Sequence, residues 1–273
     1  MAQAVTIEHV RKVYASGLEA IRDVSFGVGE GEFVSVLGPS GCGKSTLLMM
    51  VAGLLAPSGG EIRVDGTPVR GPRREIGVVF QSPVLLPWRT VLDNVLLPIE
   101  MLRLGRSQYL ERARQLLAMV KLDDFAGTLP RELSGGMRQR ASICRALIHD
   151  PEILLMDEPF SALDALTRDQ MGQELLRIWE HHRKTVIFVT HSIREAVFLS
   201  DRVFVMGHRP ATIVQALAVT LPRPRRLDIE ETDDFNRYVG VLRKAIDSEG
   251  GVAPLPNLPP GLRRQSRRSE TAE

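Results

Sequence analysis

Apolar residues recur along this chain at two spacings, and the spacing changes partway through. Residues 5–10, 20–26 and 32–37 are β-rich or alternate apolar with polar, with glycines between them, which predicts strands. The third runs directly into a glycine-rich loop, after which residues 44–55 read as a helix closed by Pro57, Gly59 and Gly60. Residues 61–65 and 76–80 are short β-rich runs. Between residues 90 and 148 Leu, Arg, Gln and Ala recur at helical spacing, with Pro98 and Pro130 as interruptions, which predicts a helical subdomain over about residues 90–150. Residues 152–157, 185–190 and 202–206 then read as buried strands separated by helices, the alternation of a parallel sheet. The expected class is α/β, a parallel-sheet core with the helical subdomain inserted in it.

The last part of the chain changes character again. Residues 233–247 fit one amphipathic helix within an extension over 229–249, and residues 250–273, rich in Pro, Arg and Ser, read as a disordered basic tail. Its arginines, Arg263, Arg264, Arg267 and Arg268, suit solvation of a free end better than lipid contact. No internal repeat is visible.

Composition narrows the classes. With 44% apolar and 25% charged residues the 273-residue chain carries enough apolar material for a core, and a formal charge of +2 does not mark a nucleic-acid binder. Two cysteines, Cys42 and Cys144, make no disulfide framework and suit a reducing compartment. The first residues lack the apolar run of a signal peptide. The longest apolar stretch, residues 47–56, is too short to span a bilayer. Any service to a membrane is therefore expected to pass through a partner.

The chemistry starts in the glycine loop. Residues 38–46 read GPSGCGKST, the P-loop pattern, in which glycines let successive backbone N–H groups face phosphate oxygens at a helix N-terminus. Gly38, Pro39, Ser40, Gly41, Cys42 and Gly43 form the cradle; Lys44 reaches the β- and γ-phosphates, Ser45 binds Mg²⁺ and Thr46 touches the α-phosphate. An apolar strand, ILLMDE at 153–158, ends in Asp157, placed to hold Mg²⁺ through water, and Glu158, placed to orient or deprotonate an attacking water. ATP and Mg²⁺ are the expected cofactors. Taken singly, Gln81 at a strand end reads as a solvated amide, His191 as a structural histidine and Tyr14 as a core aromatic.

The order GPSGCGKST, Gln81, LSGGM at 133–137, ILLMDE, SALD at 161–164 and His191 resembles the ATPases of ABC transporters over about residues 5–220. LSGG is the discriminating element, since other P-loop enzymes lack it. The resemblance implies a P-loop NTPase fold of the ABC type, with an antiparallel β subdomain beside the parallel core, the ATPase domain occupying residues 1–228. It also implies a head-to-tail dimer, a homodimer or a pair with a related subunit, with two ATP molecules between the subunits. In that arrangement Ser134, Gly135 and Gly136 reach the γ-phosphate on the partner's P-loop. Tyr14 stacks on adenine, Gln81 senses metal, water and permease, Asp164 acts across the dimer, and His191 holds the γ-phosphate and Glu158. Met137 stands where the commoner signature has Gln, which removes one ribose hydrogen bond.

Residues 81–100 open the helical subdomain where, in this family, a permease docks. Leu85, Leu86, Pro87 and Trp88 make an apolar cluster suited to such an interface, the alternative being that Trp88 packs on the subdomain itself. LLPWRTVLDNV, DALTR at 164–168, LLRIWE and LPRPRR at 221–226 resemble the nitrate/sulfonate/taurine branch of bacterial importers. That implies an importer subunit on the cytoplasmic face of the inner membrane, bound to an integral permease, served indirectly by a periplasmic solute-binding protein, and without nucleic acid. A soluble, non-transport ABC ATPase acting on nucleic acid or ribosomes would share every nucleotide residue.

Overall fold

In the computed structural model, residues 3–247 are described, and they form a mixed sheet flanked by helices. The strands lie in the order β5-β4-β1-β2-β10-β9-β3-β8-β7-β6. One half is parallel: β3 (Phe33–Leu37) lies between β9 (Arg202–Met206) and β8 (Thr185–Thr190), and β7 (Ile153–Asp157) and β6 (Ile76–Val79) continue the row. Every residue of β3, β7 and β8 is buried, as expected of strands covered on both faces. The other half is antiparallel, with β1 (Gln3–Val13) between β2 (Glu19–Gly29) and β4 (Gly59–Val64), and the short β5 (Thr67–Pro68) at the edge.

The halves are joined by β10 (Ala211–Ala218), which pairs antiparallel with β9 and parallel with β2. Neither β10 nor β5 is predicted from the sequence; the half-exposed residues of β10 show no clean alternation. The helix after the P-loop, α1 (Lys44–Val51), is shorter than the expected 44–55, because Gly53 turns at φ +71°. A Cβ at Gly53 would lie 2.1 Å from the Gly71 carbonyl oxygen, so only glycine fits that turn.

The helical subdomain comprises α2 (Val91–Met101), α3 (Arg106–Met119) and α4 (Gly135–Leu147). Pro98 does not interrupt it: it sits inside α2 and its carbonyl accepts from Leu102 N–H. Pro130 does mark a break, opening a short 3-10 turn, Pro130–Glu132. The helices α5 (Ala165–His182) and α6 (Ile193–Leu199) follow β7 and β8. The expected C-terminal helix is α7 (Asp233–Asp247), whose Phe235, Val239 and Leu242 recur at helical spacing and enter the same core as β3 and α5. Residues 221–226 bind the chain before α7 to that core. Arg225 is buried and donates to the carbonyls of Val197, Phe198, Ser200, Val219 and Leu221. Burial pushes its guanidinium down to about 10. The expected basic tail, 250–273, lies outside the described residues.

Candidate functional site

The carboxyl ends of four neighbouring parallel strands meet along one edge, where open α/β sheets place their ligands. β3 delivers the P-loop, β8 ends in Thr190 before His191, β7 ends in Asp157 before Glu158, and β6 ends two residues before Gln81. Strand register aligns them: Leu37 faces Thr190 and Asp157 faces Val189. Residues up to 153 positions apart in the sequence are thereby gathered by sheet order alone.

Within the loop, sterics explain the glycines. A Cβ on Gly38 would sit 2.6 Å from the Met206 carbonyl oxygen. Gly43, at φ +122°, is the N-cap of α1 and supplies no side-chain cap, so the first-turn N–H groups of the helix are open to an anion. Lys44 is 4% exposed, yet its ammonium donates to the carbonyls of Gly38 (2.9 Å) and Pro39 (2.8 Å) and lies 3.8 Å from Glu158 Oε1. A buried cation held by two carbonyls and one carboxylate at the mouth of an uncapped helix fits a polyphosphate. Cys42 is buried, and burial raises its thiol, so it is a spacer rather than a nucleophile.

Two of the residues expected to hold Mg²⁺ also converge. Ser45 Oγ donates to Asp157 Oδ1 at 3.0 Å. Burial raises the Asp157 carboxyl, with the Ser45 hydrogen bond opposing and Glu158 adding to the rise. No group of three or more His, Cys, Asp or Glu side chains fit to hold a metal exists among the described residues. One hydroxyl and one carboxylate suit Mg²⁺, which keeps most of its shell for water and phosphate oxygens. Glu158 stands at φ +42°, uncommon for a side-chain-bearing residue, with its N–H bonded to Val189 O. His191 Nδ1 lies 2.9 Å from Glu158 Oε2; against an ionised carboxylate that nitrogen is the donor. Tyr14 is half-buried rather than core, and its hydroxyl shares a 3.0 Å hydrogen bond with Thr46 Oγ1, at the edge of the loop.

Other expected site residues are not gathered here. Gln81 is exposed beyond β6. Ser134 caps α4, accepting from Met137 N–H, and Gly136 is so close to Leu163 that a Cβ would lie 3.1 Å from it. Met137 packs against the core, which accounts for an apolar side chain at that position. Asp164 is the N-cap of α5, its two oxygens taking the N–H and hydroxyl of Thr167, and those bonds lower its carboxyl. Ser134 and Asp164 are both exposed.

Some supporting residues carry no sequence signal. Gln139 is fully buried and donates to the Phe80 carbonyl at 3.2 Å; Arg145 donates to the carbonyls of Pro83 and Val84. Asn94, also fully buried, binds Leu86, Arg89 and Thr90 backbone atoms. Together they fix the segment after Gln81, and Trp88 is left 73% exposed, so it does not pack on the subdomain. Arg209, in the turn between β9 and β10, donates to the Gly41 carbonyl.

Comparisons with known proteins identify the fold and the family. Residues 21–161 match the ABC transporter family. The chain is 52% identical over 201 residues to the taurine import ATP-binding protein TauB of Rhizobium johnstonii, covering 74% of this chain and 77% of the relative. It is 40% identical over 239 residues to the aliphatic sulfonates import ATP-binding protein SsuB of Bacillus cereus, covering 86% and 94%. Among solved structures it resembles a dimeric ATP-binding cassette in a post-hydrolysis state bound to ADP and Pi, with TM-score 0.72 and 33% identity, over 80% of this chain and all of the other. With the P-loop, the acidic strand and the LSGG helix placed as described, this chain belongs to the ABC transporter family, among its ATP-binding subunits.

Proposed function

We propose that the chain is the ATP-hydrolysing subunit of an importer for a small sulfonate-like or related anionic solute, working as a dimer beneath a separate permease on the cytoplasmic face of the membrane. The observation that carries the catalytic part is the convergence of Lys44, Ser45, Asp157, Glu158 and His191 at one sheet edge. Lys44 and the α1 N-terminus hold the phosphates, and Tyr14, beside Thr46, covers the nucleotide base. Glu158 orients the attacking water and takes its proton, while His191 fixes that carboxylate and faces the γ-phosphate. Ser45 and Asp157 would hold Mg²⁺, which would supply charge neutralisation on the transferring phosphate, and Gln81, exposed beyond β6, would reach the same ion only once nucleotide is bound.

The dimer rests on what is left outward. Ser134, Gly135 and Gly136 stand at the N-terminus of α4, and Asp164 at that of α5, with no phosphate-binding partner from their own chain among the described residues. A second P-loop is the ligand such a helix end accepts. The import reading is supported by relatives named for taurine and aliphatic sulfonate import. It is supported also by Trp88, with Val84 62% exposed nearby, on a segment fixed from behind. No helix among the described residues is long and apolar enough to cross a membrane. Closure of the ATP-bound dimer brings the two docking surfaces together, and hydrolysis releases them.

Co-purification from native membranes tests this reading. The wild-type chain is expected to recover a multi-span permease, and the Leu86→Asp, Trp88→Asp double variant to lose it. Recovery of ribosomes or nucleic acid in place of a permease would favour a soluble ATPase acting on those partners.

A further inference from the structure

Behind the site, α5 and α6 meet at a contact that none of the nucleotide motifs includes. Glu195, on the first turn of α6, is a half-buried carboxylate whose Oε2 accepts the Thr190 hydroxyl at 2.6 Å. Thr190 is the residue immediately before His191, and its hydroxyl also accepts the N–H of Ser192, immediately after it. The backbone on both sides of His191 is therefore held through one hydroxyl that Glu195 fixes. Burial pushes the Glu195 carboxyl up, against the pull of Thr190 and Arg168.

Arg168, on the first turn of α5, approaches from the other side. Its Nη2 donates to the carbonyl of Leu163, the residue immediately before Asp164, at 3.2 Å. Its Nε is buried, without a hydrogen-bond partner among the described residues, and lies 3.6 Å from Glu195 Oε1. That distance is an ion pair just short of a hydrogen bond. Both side chains line a cavity of about 130 Å³, which leaves room for the small movement that would close it. Other charged groups facing the cavity are Asp169, Arg194 and Glu230, of which Arg194 and Glu230 are paired with each other.

We infer that Arg168 and Glu195 are positioning residues that tie the Asp164 turn to the His191 turn, so that a partner subunit engaging Asp164 sets the His191–Glu158 contact. The chain of contacts runs Leu163 carbonyl, Arg168, Glu195, Thr190, His191, Glu158. Neither residue is among those proposed to hold nucleotide, so loss of either should leave affinity intact and misplace the imidazole. This inference rests on the role of His191 proposed above.

The test uses the full chain and MgATP, comparing His191→Ala, Glu195→Gln, Arg168→Gln, Arg168→Lys and the Glu195→Gln, Arg168→Gln double variant. Glu195→Gln keeps shape and the Thr190 bond, and intact thermal unfolding checks that the variants fold. The expected result is a fall in kcat of about tenfold for Glu195→Gln and for Arg168→Gln, with KM within about twofold. The double variant should be no worse than either single, and Arg168→Lys should recover most of the loss. Additive losses, or a change confined to KM, would overturn the linkage. Wild-type turnover in the two glutamine variants beside a crippled His191→Ala would overturn this inference alone. Wild-type turnover in His191→Ala would overturn both it and the histidine's proposed role.

Discussion

The P-loop edge and the LSGG helix end are both proposed to bind phosphate, but their side chains are partnered to different degrees. At the P-loop edge the polar side chains meet one another within the chain: Lys44 with Glu158, Ser45 with Asp157, Glu158 with His191. At the other end Ser134 and Asp164 satisfy only their own helices, through Met137 and Thr167, and face outward. In the first region these contacts are all made within one chain. The second is left without a phosphate-binding partner from its own chain among the described residues, and that difference is the structural argument for the proposed dimer.

The contrast can be broken at several points. Glu158→Gln should have the largest effect, lowering steady-state hydrolysis by about a thousandfold while nucleotide still binds, as expected on removing a general base. Near-normal phosphate release by this variant would move the base elsewhere. Lys44→Ala, read by nucleotide titration, should weaken binding by about tenfold to a hundredfold, the worth of charge-assisted hydrogen bonds to phosphate. Unchanged affinity would remove Lys44 from the cradle.

Smaller effects are expected at the outward end. Met137→Gln replaces a side chain packed on the core with an amide, and denaturant unfolding should register a loss of about 1 kcal/mol. No loss would mean that the packing of Met137 is not why an apolar residue stands there. Trp88→Asp should leave unfolding within about 0.5 kcal/mol of wild type and ATPase activity of the isolated subunit unchanged, because the ring is exposed. A large fall in either would make Trp88 part of the fold rather than of an interface.

Much of the candidate site was legible because its residues are local: the P-loop and the acidic strand each carry their expected chemistry in consecutive positions. The strands that deliver them were legible for the same reason, as continuous apolar runs such as Ile153–Asp157 and Thr185–Thr190. What stayed hidden depends on distant backbone. Gln139 reads as a polar residue on a helix until its amide is seen at the carbonyl of Phe80, 59 positions away. Arg225 reads as one more basic residue in LPRPRR, yet it is buried among carbonyls of the α6 end and of the segment after β10. The strand β10 was missed because it bridges two half-sheets and is only half-buried, so no alternation betrays it. Helix α1 was overextended because the hydrophobic run continues through Leu54 and Leu55 after Gly53 has turned the backbone.

The most direct test of the two-part site is the mass of the Glu158→Gln variant in solution with MgATP, measured by light scattering with and without Ser134→Arg. The expected result is two chains for Glu158→Gln and one chain once Ser134→Arg is added, with ATP still bound in both. One chain in both samples, or two chains in both, would contradict a reaction centre completed by the LSGG end of a second subunit.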